Sequence, residues 1–258
     1  MQVLNTLWRS VREPTFGRDL LWSKLLRPPG LFQFSGTTGD NRYPEVFRFA
    51  KHRLGDAAAH RLLSFGCSTG EEVFTLRRYF PRGMIEGIDI NPYRIAASRR
   101  QLHRCGGDSQ LSFSVAASTR HLPSESYDAI FCLAVLRRGE LRNGPAPRCD
   151  HVLRFDDFER AVADFARCLK LGGYLAITFS NFRFSDTKIA TAFEVAMQAG
   201  PAWMNHMRTP LYGRDNRLLP GARYSDIMFR KRVNQTGDLT AAAAEKPSDR
   251  THQRIEKE

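Results

Sequence analysis

The stretch "LLSFGCSTGEE", Leu62 to Glu72, joins an apolar run to a turn of small residues and then to two adjacent carboxylates. A buried strand reads as a short apolar run of this kind. Gly66 and Gly70 bracket the turn, and glycine lets a backbone bend sharply and approach a ligand closely. Val73, Leu76 and Phe80 then fall on one face of a helical pattern over 71–80. Strand, tight glycine turn and helix together are the opening of a βαβ unit.

The unit repeats. Strands are expected at 62–66, 84–90, 111–116, 127–134, 174–180 and 224–231, and helical patterns at 42–55, 71–80, 92–104 and 156–170. The last of these has Asp156 as its expected N-cap and "LGG" as its glycine C-cap. Alternation of this kind implies a mostly parallel sheet covered on both faces, with right-handed crossovers. The fold class expected is α/β: a doubly wound, Rossmann-like sheet with a helical N-terminal extension. The strand at 224–231 reads as an antiparallel edge.

Three parts are expected: a helical extension or lid at 1–55, the α/β domain at 56–233, and a polar, disordered tail at 234–258. In the first part Leu4, Leu7, Trp8 and Val11 keep helical spacing, and "RPPG" at 27–30 ends the second helical pattern. Trp8 and Trp22 among several arginines and lysines also suit peripheral contact with a membrane surface.

Composition sets outer limits. The chain has 258 residues, 42% hydrophobic and 26% charged, which suits a globular domain with a sizeable core. Neither an apolar run long enough to span a bilayer nor a secretory pattern is read, and the compartment expected is cytoplasmic. The cysteines, Cys67, Cys105, Cys132, Cys149 and Cys168, are scattered without C-x-x-C pairing, so neither a disulfide framework nor a metal site is expected. Cys149 with His151 supplies only two potential ligands. The net charge of +12 comes from arginines spread along the whole chain. That pattern favours a generally basic surface, with nucleic acid a possible but not favoured partner.

The chemistry of the turn narrows the ligand. In the dinucleotide fingerprint G-x-G-x-x-G, Ser68 stands at the second glycine position and Glu71 at the third, so the match fails where a pyrophosphate lies. The Walker pattern fails too, because Glu71 and Glu72 stand where lysine and serine or threonine are required. Acidic residues at a helix N-terminus stabilise the helix itself by about 0.3–1 kcal/mol. Beyond that, an acidic mouth suits a nucleoside that carries positive charge and no phosphate. S-adenosylmethionine, with its sulfonium and ammonium groups, is such a ligand. Asp89, nineteen residues after Gly70, stands near the spacing at which an acidic residue reaches ribose hydroxyls; capping the helix that starts near Pro92 is its alternative role.

With these residues in place, the chain resembles the class I S-adenosylmethionine-dependent methyltransferases over roughly residues 60–180. The run Cys67–Glu72 is most similar to the first motif of the chemotaxis-receptor methyltransferases, and "GIDIN" at 87–91 to their second. "YDAIFCLAVL" at 127–136 and "FARCLKLGGYLAI" at 165–177 resemble the fourth strand and the fifth helix–strand unit. The resemblance implies that Gly66, Cys67, Ser68, Thr69 and Gly70 wrap the methionine moiety and that Glu71 contacts the cofactor. It implies further that Asp89 holds the ribose, that Ile90 packs on adenine, and that Ala117, Ser118 and Leu133 complete the cofactor site. A Thr-x-x-x-Arg pattern, Thr38 to Arg42, is similar to a cofactor-touching element of the chemotaxis enzymes.

There are departures. Ser64 replaces an acidic residue common in methyltransferases, Ala117 and Ser118 replace the adenine-amine carboxylate, and Leu133-Ala134 replaces the Arg-Asn of the chemotaxis group. Receptor glutamate methylation is accordingly not expected.

The function expected is methyl transfer from S-adenosylmethionine to a small-molecule acceptor; the alternative is a binding protein of the same fold with little or no turnover. Substrate contacts are expected from the loops after the fourth and fifth strands, namely Arg137, Arg138, Asn181 and Arg183. His121 and His151 are lone histidines without a partner pattern, and no catalytic base is assigned. The N-P-P-Y and D-P-P-Y patterns of base-amino methylation do not follow the fourth strand.

Overall fold

A computed structural model describes residues 30–33, 36, 38–55, 60–206 and 209–233. The helical patterns read over 1–29 and the tail at 234–258 lie outside the described residues.

Seven strands form one sheet in the order β3-β2-β1-β4-β5-β7-β6. They are β1 (Arg61–Phe65), β2 (Met84–Asp89), β3 (Leu111–Val115), β4 (Tyr127–Leu133), β5 (Leu169–Thr178), β6 (Phe193–Gln198) and β7 (Asp226–Lys231). The β1–β2, β1–β4, β2–β3 and β4–β5 pairs are parallel, whereas β7 runs antiparallel to both β5 and β6. The order reverses between β1 and β4, so the crevice beyond the carboxyl ends of those strands is the ligand position of a doubly wound, Rossmann-like sheet.

The helices are α1 (Pro44–Leu54), α2 (Glu71–Tyr79), α3 (Pro92–Arg104), α4 (Glu140–Asn143), α5 (Phe155–Cys168) and α6 (Pro201–His206). The two-residue period of β1 divides the core. Leu62 faces Val46 and Phe47 of α1, Val73 and Leu76 of α2 and Ile95 of α3. Leu63 and Phe65 face Phe158, Val162 and Phe165 of α5. Ser64, on the α2 side, is fully buried.

The structure corrects four local expectations. β7 is an interior strand, because β6, which the sequence reading missed, covers its outer side. Helix α5 starts at Phe155 with Arg154 at the N-cap and no capping side chain, and Asp156 and Asp157 sit in the first turn as dipole partners. It also ends at Cys168, and "LGG" belongs to β5, where Gly172 takes φ 76° beside a register shift against β4. Strand pairing overrode the local glycine signal there. The N-cap of α3 is Asn91, whose side chain accepts from Tyr93 N at 2.9 Å and Arg94 N at 3.4 Å, so Asp89 does not cap that helix.

Gly87 in β2 allows the turn after β1 to pass closely. A Cβ there would stand 2.7 Å from Val73 Cγ2 and 2.9 Å from Cys67 Sγ. Gly87→Ala is expected to cost about 1–3 kcal/mol through overpacking, read as a lower denaturant midpoint with an unchanged slope.

Candidate cofactor site

The turn at Gly66–Gly70 is fastened from within. Gly66 N and Cys67 N both donate to Ile88 O, at 2.7 and 3.0 Å, and Gly70 N donates to Cys67 O at 3.0 Å. Ser68 N donates to Asp89 Oδ2 at 3.0 Å. Gly66 (φ 75°), Ser68 (φ 53°) and Gly70 (φ 96°) all take left-handed backbone, the only way so tight a bend closes. Phosphate-binding turns point their N–H groups at the ligand; here four are consumed inside the protein.

Asp89, 5% exposed, ends β2 at the lip of the crevice. Its second oxygen accepts from Asn91 N at 2.8 Å. A carboxylate offers acceptors only, so it suits a hydroxyl donor.

The turn and Asp89 open onto a cleft enclosing about 850 Å³, part of it open to solvent. Such a volume suits a nucleoside-sized ligand. Of the residues expected to hold the cofactor, Gly66, Cys67, Ser68, Asp89, Ile90, Ala117 and Leu133 line the cleft. Thr69, Gly70, Glu71 and Ser118 do not. Glu71 is engaged elsewhere, accepting from Thr69 Oγ1 at 2.7 and 2.8 Å.

Its neighbour Glu72 takes the inward position, because one residue along a helix turns the side chain by about 100°. Glu72 lines the cleft and accepts from Ser64 Oγ at 2.8 Å. Burial pushes its carboxyl up from the ordinary 4.5 to about 7, against the hydrogen bond from Ser64 and the field of Arg42. Ser64 and Glu72 together therefore restore a carboxylate near the end of β1. Sequence reading singled out Glu71, whereas Glu72 is the one that lines the cleft; helical phase relative to Val73 and Leu76 was the available signal.

The outer wall comes from the segment before α1. Leu31, Phe32, Gln33, Gly36, Thr38 and Gly39 line the cleft. Ser68 Oγ donates to Gly36 O at 2.9 Å, Asn41 N donates to Thr75 Oγ1 at 3.1 Å, and Arg78 pairs with Asp40. Thr38 and Arg42, the ends of the Thr-x-x-x-Arg pattern, both reach the cleft, as do Tyr43 and Arg94. Nothing local in the sequence marks the last two.

Of the four residues expected to meet substrate, Asn181 is fully buried and occupied. Its Oδ1 accepts from Arg138 N at 2.7 Å, and its Nδ2 donates to Pro210 O at 2.8 Å. It ties loops together instead of facing the crevice. Arg138 Nε donates to Val152 O at 2.8 Å, and Arg183 Nε pairs with Asp186 at 3.1 Å. Arg137 is half-buried on the loop after β4 and, like the other three, is not among the residues that line the cleft.

Residues 63–177 match the family of methyltransferase domains. The matched segment runs from Leu63 in β1 to Ile177 in β5, so it contains the turn, Asp89 and Glu72. No curated protein matches the chain. Among solved structures, the [4+2]-cyclase SpnF is 22% identical, over 54% of this chain and 47% of that one, with a TM-score of 0.40. YcgJ of Bacillus subtilis is 18% identical, over 52% and 50%, with a TM-score of 0.40. A putative S-adenosylmethionine-dependent methyltransferase of Methanococcus maripaludis is 15% identical, over 63% and 61%, also with a TM-score of 0.40. The chain spans about half the length of the first two. Among the described residues, no helix is long and apolar enough to cross a membrane.

Proposed function

We propose that the chain is an S-adenosylmethionine-dependent methyltransferase acting on a small-molecule acceptor. The observation that carries the reading is the inward fastening of the turn: Gly66, Cys67 and Ser68 spend their N–H groups on Ile88 and Asp89 and do not offer them to a phosphate. The family match over 63–177 supports it.

In this reading Asp89 accepts the ribose hydroxyls, and Ile90 and Ala117 pack about the adenine. Leu133 and Ala134 lie beneath the sulfonium. Glu72 and Arg42 suit the two ends of the methionine zwitterion, Glu72 the ammonium and Arg42 the carboxylate. Methyl transfer is an in-line displacement: an acceptor lone pair forms the new bond to the methyl carbon as the carbon–sulfur bond breaks. Its electron pair returns to sulfur, giving the neutral thioether S-adenosylhomocysteine. Positive charge disperses in the transition state, so alignment in an enclosed cleft supplies much of the acceleration.

Calorimetry with S-adenosylmethionine is the direct test, and a saturable heat is expected; NADH binding in its place would overturn the reading. A sharper form uses Glu72. Its folded pKa lies above the unfolded one, so the free protein holds the extra proton and its stability falls as pH rises from about 4.5 to 7. An ammonium ligand needs the ionised form, so binding expels that proton. Affinity is expected to rise roughly eightfold between pH 6 and 7.5. Glu72→Gln should be weaker, by about tenfold or more, and flat with pH. A wild-type affinity that does not change over this range would remove Glu72 from the ammonium position.

A further inference from the structure

Beside the cofactor cleft lies a second, more open cavity of about 950 Å³, and Arg42 and Tyr43 line both. Its other walls are Glu45, Phe179, Met197, Gly200, Ala202 and Trp203. Strand pairing holds the two cavities side by side. Ala134, in the cofactor cleft just after β4, donates its N–H to Thr178 O of β5 at 3.0 Å, and Phe179 is the next residue. Two backbone irregularities fall on the wall of the second cavity. Phe179 takes φ 54°, a strained setting for an aromatic residue. Met197 stands between two register shifts of the β6–β7 ladder, and such shifts re-aim the side chains of a strand.

The inner wall is apolar. The Tyr43 and Trp203 rings are stacked, with centroids 6.0 Å apart and planes 14° from parallel. Phe179 stands 6.0 Å from Tyr43 and 6.3 Å from Trp203. Phe179, Met197 and Trp203 pack against the core and still keep part of their surface for the cavity. The charged residues Arg42 and Glu45 are exposed, so they stand at the rim, and each is already engaged. The Arg42 guanidinium lies over the Tyr43 ring, 5.2 Å from its centroid, and Glu45 faces Arg48 at 3.8 Å. An ion moved from water onto the inner wall would shed hydration and meet ring faces and a thioether in return. A neutral ring system loses far less.

Resting on the methyltransferase reading, we propose that this second cavity is the acceptor site and that the acceptor is an uncharged, ring-bearing apolar small molecule. Its body lies against Phe179, Met197 and Trp203, and its reacting atom points past Tyr43 toward the cofactor cleft. Aromatic and sulfur–aromatic contacts supply the binding. The transfer is the displacement described above, and the proton given up by the acceptor atom leaves to solvent through the open side of the cavity.

The test uses three probes of one shape, naphthalene-2-methanol, naphthalene-2-carboxylate and naphthalene-2-methylammonium. Each is titrated into the full chain saturated with S-adenosylhomocysteine, which keeps it out of the cofactor cleft, and followed by ligand-observed NMR. The alcohol is expected to bind about tenfold or more tightly than either ion. Trp203→Ala should weaken the alcohol by about tenfold. Gly200→Leu fills the cavity from a position where an added Cβ meets no atom within 4 Å. It should leave the melting temperature and S-adenosylhomocysteine affinity near those of the wild type while abolishing alcohol binding. Alcohol binding no tighter than that of an ion, or left intact by either variant, overturns the proposal. Failure of S-adenosylhomocysteine itself to bind in calorimetry overturns the underlying reading instead, so the two failures are told apart.

Discussion

Asp89→Asn is expected to lower S-adenosylhomocysteine affinity by about a hundredfold or more, an effect larger than that of any other single exchange at the site. The carboxylate does two things at once. Its oxygens accept from Ser68 N at 3.0 Å and Asn91 N at 2.8 Å, which fixes the turn after β1 and the start of α3. In the proposed complex the carboxylate also takes the ribose hydroxyls. An amide has one acceptor oxygen and one NH2 group, so one of the two backbone donors must face another donor. That mismatch costs about 1–3 kcal/mol of stability in a buried position. The ribose also loses its charged acceptor. Calorimetry and thermal unfolding read the two losses separately. Affinity within threefold of wild type would show that Asp89 is only a fastening of the turn.

Gly66→Ala is expected to destabilise the fold by about 2–4 kcal/mol and to impair cofactor binding with it. Gly66 has φ 75°, and a Cβ placed there would lie 2.6 Å from Val135 Cγ2. Val135 is β-branched and cannot swing aside without changing rotamer, and it lines the same cleft. Two costs therefore add: left-handed strain for alanine and a clash with a stiff side chain. Pairing the change with Val135→Ala should recover the clash and leave the strain, so a double-mutant cycle in denaturant is expected to show positive coupling. Additive losses would place the whole penalty in the backbone.

Most of the sheet was legible from short-range pattern. Apolar runs marked β1, β2, β4, β5 and β7, because a strand buried on both faces is written in contiguous residues, and the edge strand β3 showed as alternation. β6 was missed: "FEVAMQ" has mixed polarity, with Glu194 and Val195 exposed, and it is a strand only because β7 pairs with it. The same pairing moves β7 from the edge to the interior. At the site, the turn and Asp89 were readable together, since a glycine-bracketed bend and an acidic end to the next strand are local features at a regular interval.

What the sequence determined by itself is the βαβ turn, its failure as a phosphate cradle and the carboxylate that ends β2. Each depends on the backbone freedom and charge of residues close together in the chain. The tertiary structure decided that Glu72 and not Glu71 faces the cleft, that residues before α1 wall it, and that Asn181 is spent on holding loops. It also brought Tyr43, Phe179 and Trp203 onto one wall from three distant segments. Such groupings leave no local trace, because packing across the sheet selects them and no spacing along the chain records which side chains will meet.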